Sequence, residues 1–350
     1  MNNKKNKLFI TGNEAIGRAA VAAKCRFYAG YPITPQNELT AFMSRAMPEN
    51  NAVFIQAESE LAAINMVFGA SAAGARAMTS SSSPGISLKQ EGISYIAGCK
   101  LPAFIVNVMR GSPGLGNIAP SQSDYFQATK GGGHGDYNLI VLAPASVQEA
   151  FDLTLKGFSL ADEYRNPVML LLDAFIAQMA EPVITTSGKP KIHPKPWALT
   201  GARGRPPNII RSLLLKEGAL EQHNLQLQEK YKVIKGKEVL FEAINTDNAD
   251  IIFVAYGIAY RIIKEAALRL QDKVKIGIFR PISLWPFPRQ QLQTEAQGAK
   301  DVFVFELSCG QMVEDVNLAL GHNNKVYFYG RTGGGVFSVD EIVDYVESKI

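Results

Sequence analysis

The feature that most constrains this chain is its alternation of short apolar runs with longer amphipathic runs rich in alanine and glycine. KLFITG reads as a strand entering a turn, NEAIGRAAVAAKC as a helix and FYAG as a strand end. QNELTAFMSRAM follows as a helix, AVFIQAE as a buried strand and SELAAINMVFGASAAG as a closely packed helix. The pattern continues through ARAMTSSSS, ISLKQEGISYIAGCK, PAFIVNVMR, LIVLAPAS, VQEAFDLTLKGFSLADEY and PVMLLLD. Periods of this kind predict an α/β fold with a parallel sheet covered by helices on both faces. Ligands of such sheets sit at the carboxyl ends of the strands. The unusual turns YPITP, AESE, TSSSSPG and MRGSPGLG all fall at those ends.

Residues 1–180 carry this first unit. From 181 the chain turns rich in proline, glycine and charge (EPVITTSGKPKIHPKPWALTGARGRPP), and 181–245 reads as a linker with a helix around LEQHNLQLQEKYKVI. Residues 246–350 repeat the strand–helix pattern in DIIFVAYG, IAYRIIKEAALRLQD, VKIGIFRP, DVFVFELS and KVYFYG, which predicts a second, smaller α/β unit. A length of 350 residues accommodates both. The net charge of +4, with Lys and Arg spread along the chain apart from a basic stretch near 186–215, argues against nucleic acid as a partner. Cys25, Cys99 and Cys309 lie far apart with no CxxC, so they read as buried free thiols in a reducing cytoplasm. A chain with so few cysteines is not expected to hold an iron–sulfur cluster alone. No apolar run approaches the length of a membrane span, so a cytoplasmic chain without membrane contact is expected.

Each strand-end motif has a chemical and a plain reading. Pro32 and Pro35 stiffen the YPITP turn, because each fixes φ and lacks an N–H. Thr34 on that turn either hydrogen-bonds a small ligand or caps the next helix. Glu58 and Glu60 are either first-turn acids favoured by the helix dipole, or one is buried and shares a proton with a ring nitrogen. TSSSSPG offers hydroxyls and free N–H groups before a helix, as an anion or carbonyl site or as a serine-rich cap. Arg110 is placed to bind a carboxylate with its planar fork, or to make a surface ion pair. GSPGLG lacks the glycine spacing of a dinucleotide fingerprint. His134 in GGGHGD, Arg280 in FRP, the WPFP run at 285–288 and RTGGG at 331–335 read as structural or interface features.

Taken together, YPITP, AESE with ELAAINMVFGASAAGARAMTSSSSPG, and NVMRGSPGLG with SQSD downstream resemble the 2-oxoacid:ferredoxin oxidoreductase family, at its alpha subunit. The resemblance covers nearly the whole chain. TKGGGHGDYNLIVLAPASVQEA and the length are most similar to the 2-ketoisovalerate (3-methyl-2-oxobutanoate) type, with the 2-oxoglutarate type as near neighbour. It implies a pyrimidine-binding domain for thiamine diphosphate, followed by a transketolase C-terminal-like domain. It implies that Thr34 hydrogen-bonds the 2-oxo acid, that Glu60 (Glu58 as fallback) activates the aminopyrimidine, and that Arg110 binds the substrate carboxylate. Tyr31 and Pro32 belong to the same cofactor-facing turn. By position, Ser81 and Ser82 are assigned to the cofactor and Asp124 to the substrate.

The reaction implied is oxidative decarboxylation, with CO2 released, the acyl group passed to coenzyme A and electrons passed singly to ferredoxin. GDYN at 135–138 is not the GDG…N motif that binds diphosphate and Mg2+. The resemblance therefore places Mg2+ on a beta subunit and the 4Fe–4S clusters on gamma or delta subunits. Two other readings stay open at this stage. One is a subunit of a non-oxidative thiamine diphosphate enzyme, whose CO2 release needs no electron acceptor. The other is an orphan subunit acting as a binding or assembly module.

Overall fold

The computed structural model describes residues 7–186, 190–321 and 323–350. A seven-stranded sheet runs, in spatial order, Ser283–Trp285, Ile140–Leu142, Pro167–Asp173, Ala103–Met109, Ala77–Ser81, Phe27–Gly30 and Val53–Gln56. All neighbours pair parallel except Ser283–Trp285, which lies antiparallel to Ile140–Leu142. The two central strands, Ala103–Met109 and Pro167–Asp173, are buried at every residue, which is why they read as unbroken apolar runs. Val53–Gln56, expected to be buried, is instead the sheet's edge, and Val53 is 49% exposed. Its apolar composition resembles that of a central strand, but it has a neighbour on one side alone.

A five-stranded sheet follows, in the order Lys325–Gly330, Asp301–Glu306, Ile251–Val254, Ile276–Pro281 and Phe241–Ile244, with the last strand antiparallel. The stretch from 181, read as linker, begins as a strand: Ala180–Ile184 pairs antiparallel with Lys7–Thr11. Helix Ala219–Lys237 occupies the position expected for it. Cys25 and Cys99 are buried, whereas Cys309 is exposed, because it sits in the turn beyond Asp301–Glu306 rather than in the strand. Among the described residues no helix is long and apolar enough to cross a membrane.

The two sheets are joined by hydrogen bonds as well as by Ser283–Trp285, which follows Ile276–Pro281 of the second sheet in the chain and pairs in the first. The Gln122 side chain donates to the Tyr256 carbonyl (2.8 Å) and accepts from the Leu307 N–H (2.9 Å). The Asp173 carboxylate, fully buried, accepts from the N–H of Ile258 (2.9 Å) and of Ile176 (3.1 Å). Arg280 closes a two-pronged pair with Glu149 (2.6 and 2.7 Å) and bonds Glu242 at 2.9 Å, an interface role that agrees with its reading from sequence.

Candidate active site

Strands Phe27–Gly30, Val53–Gln56, Ala77–Ser81 and Ala103–Met109 lie in one parallel set, so their carboxyl ends open on one edge. This brings together the YPITP turn, the AESE turn, the serine run and Arg110.

Glu60 is the first residue of helix Glu60–Ala72, whose N-cap Ser59 accepts from the Ala62 N–H at 3.1 Å. It is 6% exposed, while Glu58 points out to solvent. Geometry therefore separates two acids that spacing could not. The Glu60 carboxylate and the Ser81 hydroxyl reach into space that only glycine at 85 leaves open. A Cβ there would lie 2.5 Å from Glu60 Oε1 and 2.1 Å from Ser81 Oγ. Ser81 and Ser82 are fully buried, and their hydroxyls, like that of Thr79, have no partner among the described residues. Ser82 stands at the N-cap of helix Ser83–Gly98, yet its side chain makes no capping bond. Buried hydroxyls left unmatched are uncommon, since each costs about 1–3 kcal/mol.

Arg110 is 7% exposed and ties the loops to one another. Its guanidinium donates to the Thr34 carbonyl (2.9 Å) and the Leu115 carbonyl (3.0 Å), and its Nε has no acceptor among the described residues. A surface ion pair is not what it makes. Thr34 does not cap the following helix: Gln36 is the N-cap of Asn37–Glu49, and Thr34 Oγ1 accepts from Asn37 Nδ2 at 3.3 Å. Tyr31 and Pro32 are exposed on the same turn. Beneath the turn, the Ser80 hydroxyl donates to Gln36 Oε1 at 2.6 Å, and the Tyr28 and Ser80 hydroxyls bond each other at 2.6 Å.

Asp124, expected at the substrate, has its carboxylate held by neighbouring side chains. Its Oδ2 accepts from the Ser83 hydroxyl (2.6 Å) and Asn107 Nδ2 (2.9 Å), and the residue is 7% exposed. Burial raises its pKa, and those two donors oppose the rise. Ser83 Oγ in turn accepts from the Arg110 N–H at 3.0 Å, so Asp124 braces the backbone that carries Arg110. His134 is exposed on its loop, with its carbonyl bound by the Ser94 hydroxyl.

Sequence reasoning missed Ser83 and Asn107, and it missed Lys89, which is wholly buried beside Glu60. Serine and asparagine on a strand end or helix start give no directional signal. Lys89 did leave one: it follows Gly85 by four residues and precedes Gly92 by three, and that spacing places all three on one helix face.

Comparison with known proteins supplies the family. Residues 18–234 match the model described as pyruvate flavodoxin/ferredoxin oxidoreductase, thiamine diphosphate-binding, and residues 249–342 match pyruvate:ferredoxin oxidoreductase core domain II. The chain is 48% identical to the ketoisovalerate oxidoreductase subunit VorB of Methanothermobacter marburgensis over 95% of each chain. It is 37% identical to the 2-oxoglutarate synthase subunit KorA of Archaeoglobus fulgidus over 97% of this chain and 99% of that one. A solved chain of the 2-oxoglutarate:ferredoxin oxidoreductase from Magnetococcus marinus, with 2-oxoglutarate, coenzyme A and succinyl-CoA bound, superposes with a TM-score of 0.87 at 26% identity. That match covers 98% of this chain and 65% of the other. The chain belongs to the pyruvate flavodoxin/ferredoxin oxidoreductase family, and its first unit is of the thiamine-diphosphate-binding type.

Proposed function

We propose that this chain is the alpha subunit of a ketoisovalerate:ferredoxin oxidoreductase, converting a branched 2-oxo acid and coenzyme A to acyl-CoA and CO2. The observation that carries the reading is the buried Glu60 carboxylate set against partnerless hydroxyls at the strand ends. Greater likeness to the ketoisovalerate-named relative, 48% against 37% for the 2-oxoglutarate-named one, supports the branched substrate.

The residues present fit the pyrimidine half of thiamine diphosphate. Gly85 leaves a cradle, Ser81 and Ser82 hold free hydroxyls, and Glu60 offers a buried acid. When bound, the cofactor supplies the electron sink that decarboxylation of a 2-oxo acid requires. Glu60 holds a proton at a ring nitrogen. Thr34 donates to the 2-oxo group. Arg110, oriented by two carbonyls, turns its remaining N–H groups to the substrate carboxylate. Asp124 and Ser83 keep that arginine's backbone in place. The diphosphate, Mg2+ and 4Fe–4S clusters are assigned to beta and gamma or delta subunits, with ferredoxin as electron acceptor.

The test is coenzyme A-dependent viologen reduction by the anaerobically purified complex, offered ketoisovalerate, 2-oxoglutarate, pyruvate and phenylpyruvate in turn. The fastest rate is expected with ketoisovalerate; a preference for 2-oxoglutarate would reassign the substrate. Glu60→Gln should lower turnover by at least ~100-fold with the complex still assembled. Near-normal turnover would remove Glu60 from its role.

A further inference from the structure

Lys89 lies in the middle of helix Ser83–Gly98 and has no exposed surface. Its Nζ donates to the main-chain carbonyl of Glu60 at 3.3 Å, and among the described residues this is its one hydrogen bond. It forms no direct ion pair among those residues. Burial lowers its pKa to about 8, and the Glu60 charge opposes the fall. The surroundings are built to admit it. A Cβ on Gly92 would meet Ile64 Cγ2 at 2.5 Å, and one on Gly85 would meet Glu60 itself, so two glycines on one face bring the helix against Glu60–Ala72.

A buried ammonium with a single neutral acceptor is expensive, and an apolar side chain of similar length would fold at least as well. A group kept against that cost is worth asking a function of. The charged groups facing it are few. Helix Glu60–Ala72 carries Glu60 alone, and strands Ala77–Ser81 and Ala103–Met109 carry none. Asp173, ending Pro167–Asp173, is committed to backbone N–H groups, and Glu91 on the same helix accepts from the Tyr95 hydroxyl.

We propose that Lys89 is a positioning residue for the cofactor-facing acid: its Nζ holds the main-chain carbonyl of Glu60, and with it the first turn of the helix that carries the Glu60 carboxylate. The inference rests on the reading of Glu60 given above.

The experiment is Lys89→Met in the assembled complex, with Lys89→Gln as a second variant and Glu60→Gln run beside them. Two quantities are read: the melting temperature, and thiamine diphosphate affinity by titration of the cofactor-stripped complex. Lys89→Met is expected to melt at the wild-type temperature or above. Its affinity for thiamine diphosphate should fall by ~10-fold, and Lys89→Gln, which keeps an N–H donor for the Glu60 carbonyl, should recover part of that loss. Unchanged affinity in both Lys89 variants, while Glu60→Gln is inactive, would overturn this inference and leave the site reading standing. An active Glu60→Gln would overturn both.

Discussion

Both parallel sheets place a buried carboxylate beside the start of a helix, and the two are treated in opposite ways. Glu306 ends strand Asp301–Glu306 with no exposed surface. Its oxygens accept from the N–H groups of Gln311 (3.2 Å), Met312 (2.9 Å) and Val313 (2.9 Å), and from the Ser308 hydroxyl (3.0 Å). Burial raises its pKa and the four donors oppose the rise. Every bond it can use is spent on closing helix Met312–Leu320 onto the sheet. At the strand ends that Glu60 faces the reverse holds: the Thr79, Ser81 and Ser82 hydroxyls and Arg110 Nε are buried without partners among the described residues. The same place in two related architectures is saturated in one and open in the other. A saturated end is a strut. An open one, kept at a cost of about 1–3 kcal/mol per orphaned group, is where a ligand completes the bonding.

The sharpest way to break this comparison is Gly85→Ala. The added Cβ would sit 2.1 Å from Ser81 Oγ and 2.5 Å from Glu60 Oε1, so one of them must move. A displacement of ~1 Å at a reacting group costs on the order of 100-fold in rate, against an overpacking cost of ~1–3 kcal/mol in stability. Turnover of the assembled complex should therefore collapse while the complex still forms. Gly236→Ala, in helix Ala219–Lys237 with nothing within 4 Å of the new Cβ, is the control and should stabilise by ~0.5–1 kcal/mol. Full turnover in Gly85→Ala would show that the Glu60 cradle is ordinary packing.

Glu306→Ala tests the other side. Three N–H groups at a helix start would lose their acceptor, at a cost of roughly 1–3 kcal/mol. The melting temperature should drop by several degrees, and kcat of the folded complex should hold. A loss of kcat without loss of stability would make Glu306 part of the site, and the division between strut and site would fall.

The legibility of the two regions differs for physical reasons. Strands buried on both faces read as apolar runs, and their exits carry Gly, Pro and Ser, so Tyr31–Pro35, the serine run and Arg110 could be placed on one sheet edge from spacing alone. Burial was legible less often. Val53–Gln56 has the composition of a central strand, because composition does not encode how many neighbours a strand has. Ser283–Trp285 returns from the second unit to pair with Ile140–Leu142, and three residues carry no signal for a partner so far away in sequence. Lys89 was read past because a lysine in a helix is ordinarily solvated; its meaning lies in the helix packed against it. Glu60 and Glu58 were separable only once the direction of each side chain was known. Asp124 was placed in the right neighbourhood, but its bonds to Ser83 and Asn107 were not legible, since position along the chain says nothing of which way a carboxylate turns.

The smallest expected effect is the most discriminating within the first sheet, because it removes a strut that stands inside the site. Ser83 donates to Asp124 at 2.6 Å and accepts from the Arg110 N–H at 3.0 Å. Ser83→Ala would leave Asp124 with Asn107 as its one side-chain donor, and the Arg110 N–H without its acceptor. Each such bond contributes ~0.5–1.5 kcal/mol to the fold, and only the one to the Arg110 N–H bears directly on the arginine, so kcat/KM for the 2-oxo acid should fall by no more than ~10-fold. KM for coenzyme A should stay as it was, because the change is felt through Arg110. A loss as deep as that of Gly85→Ala would mean that bracing and contact cannot be told apart here, and that the orphaned hydroxyls do not by themselves mark the site.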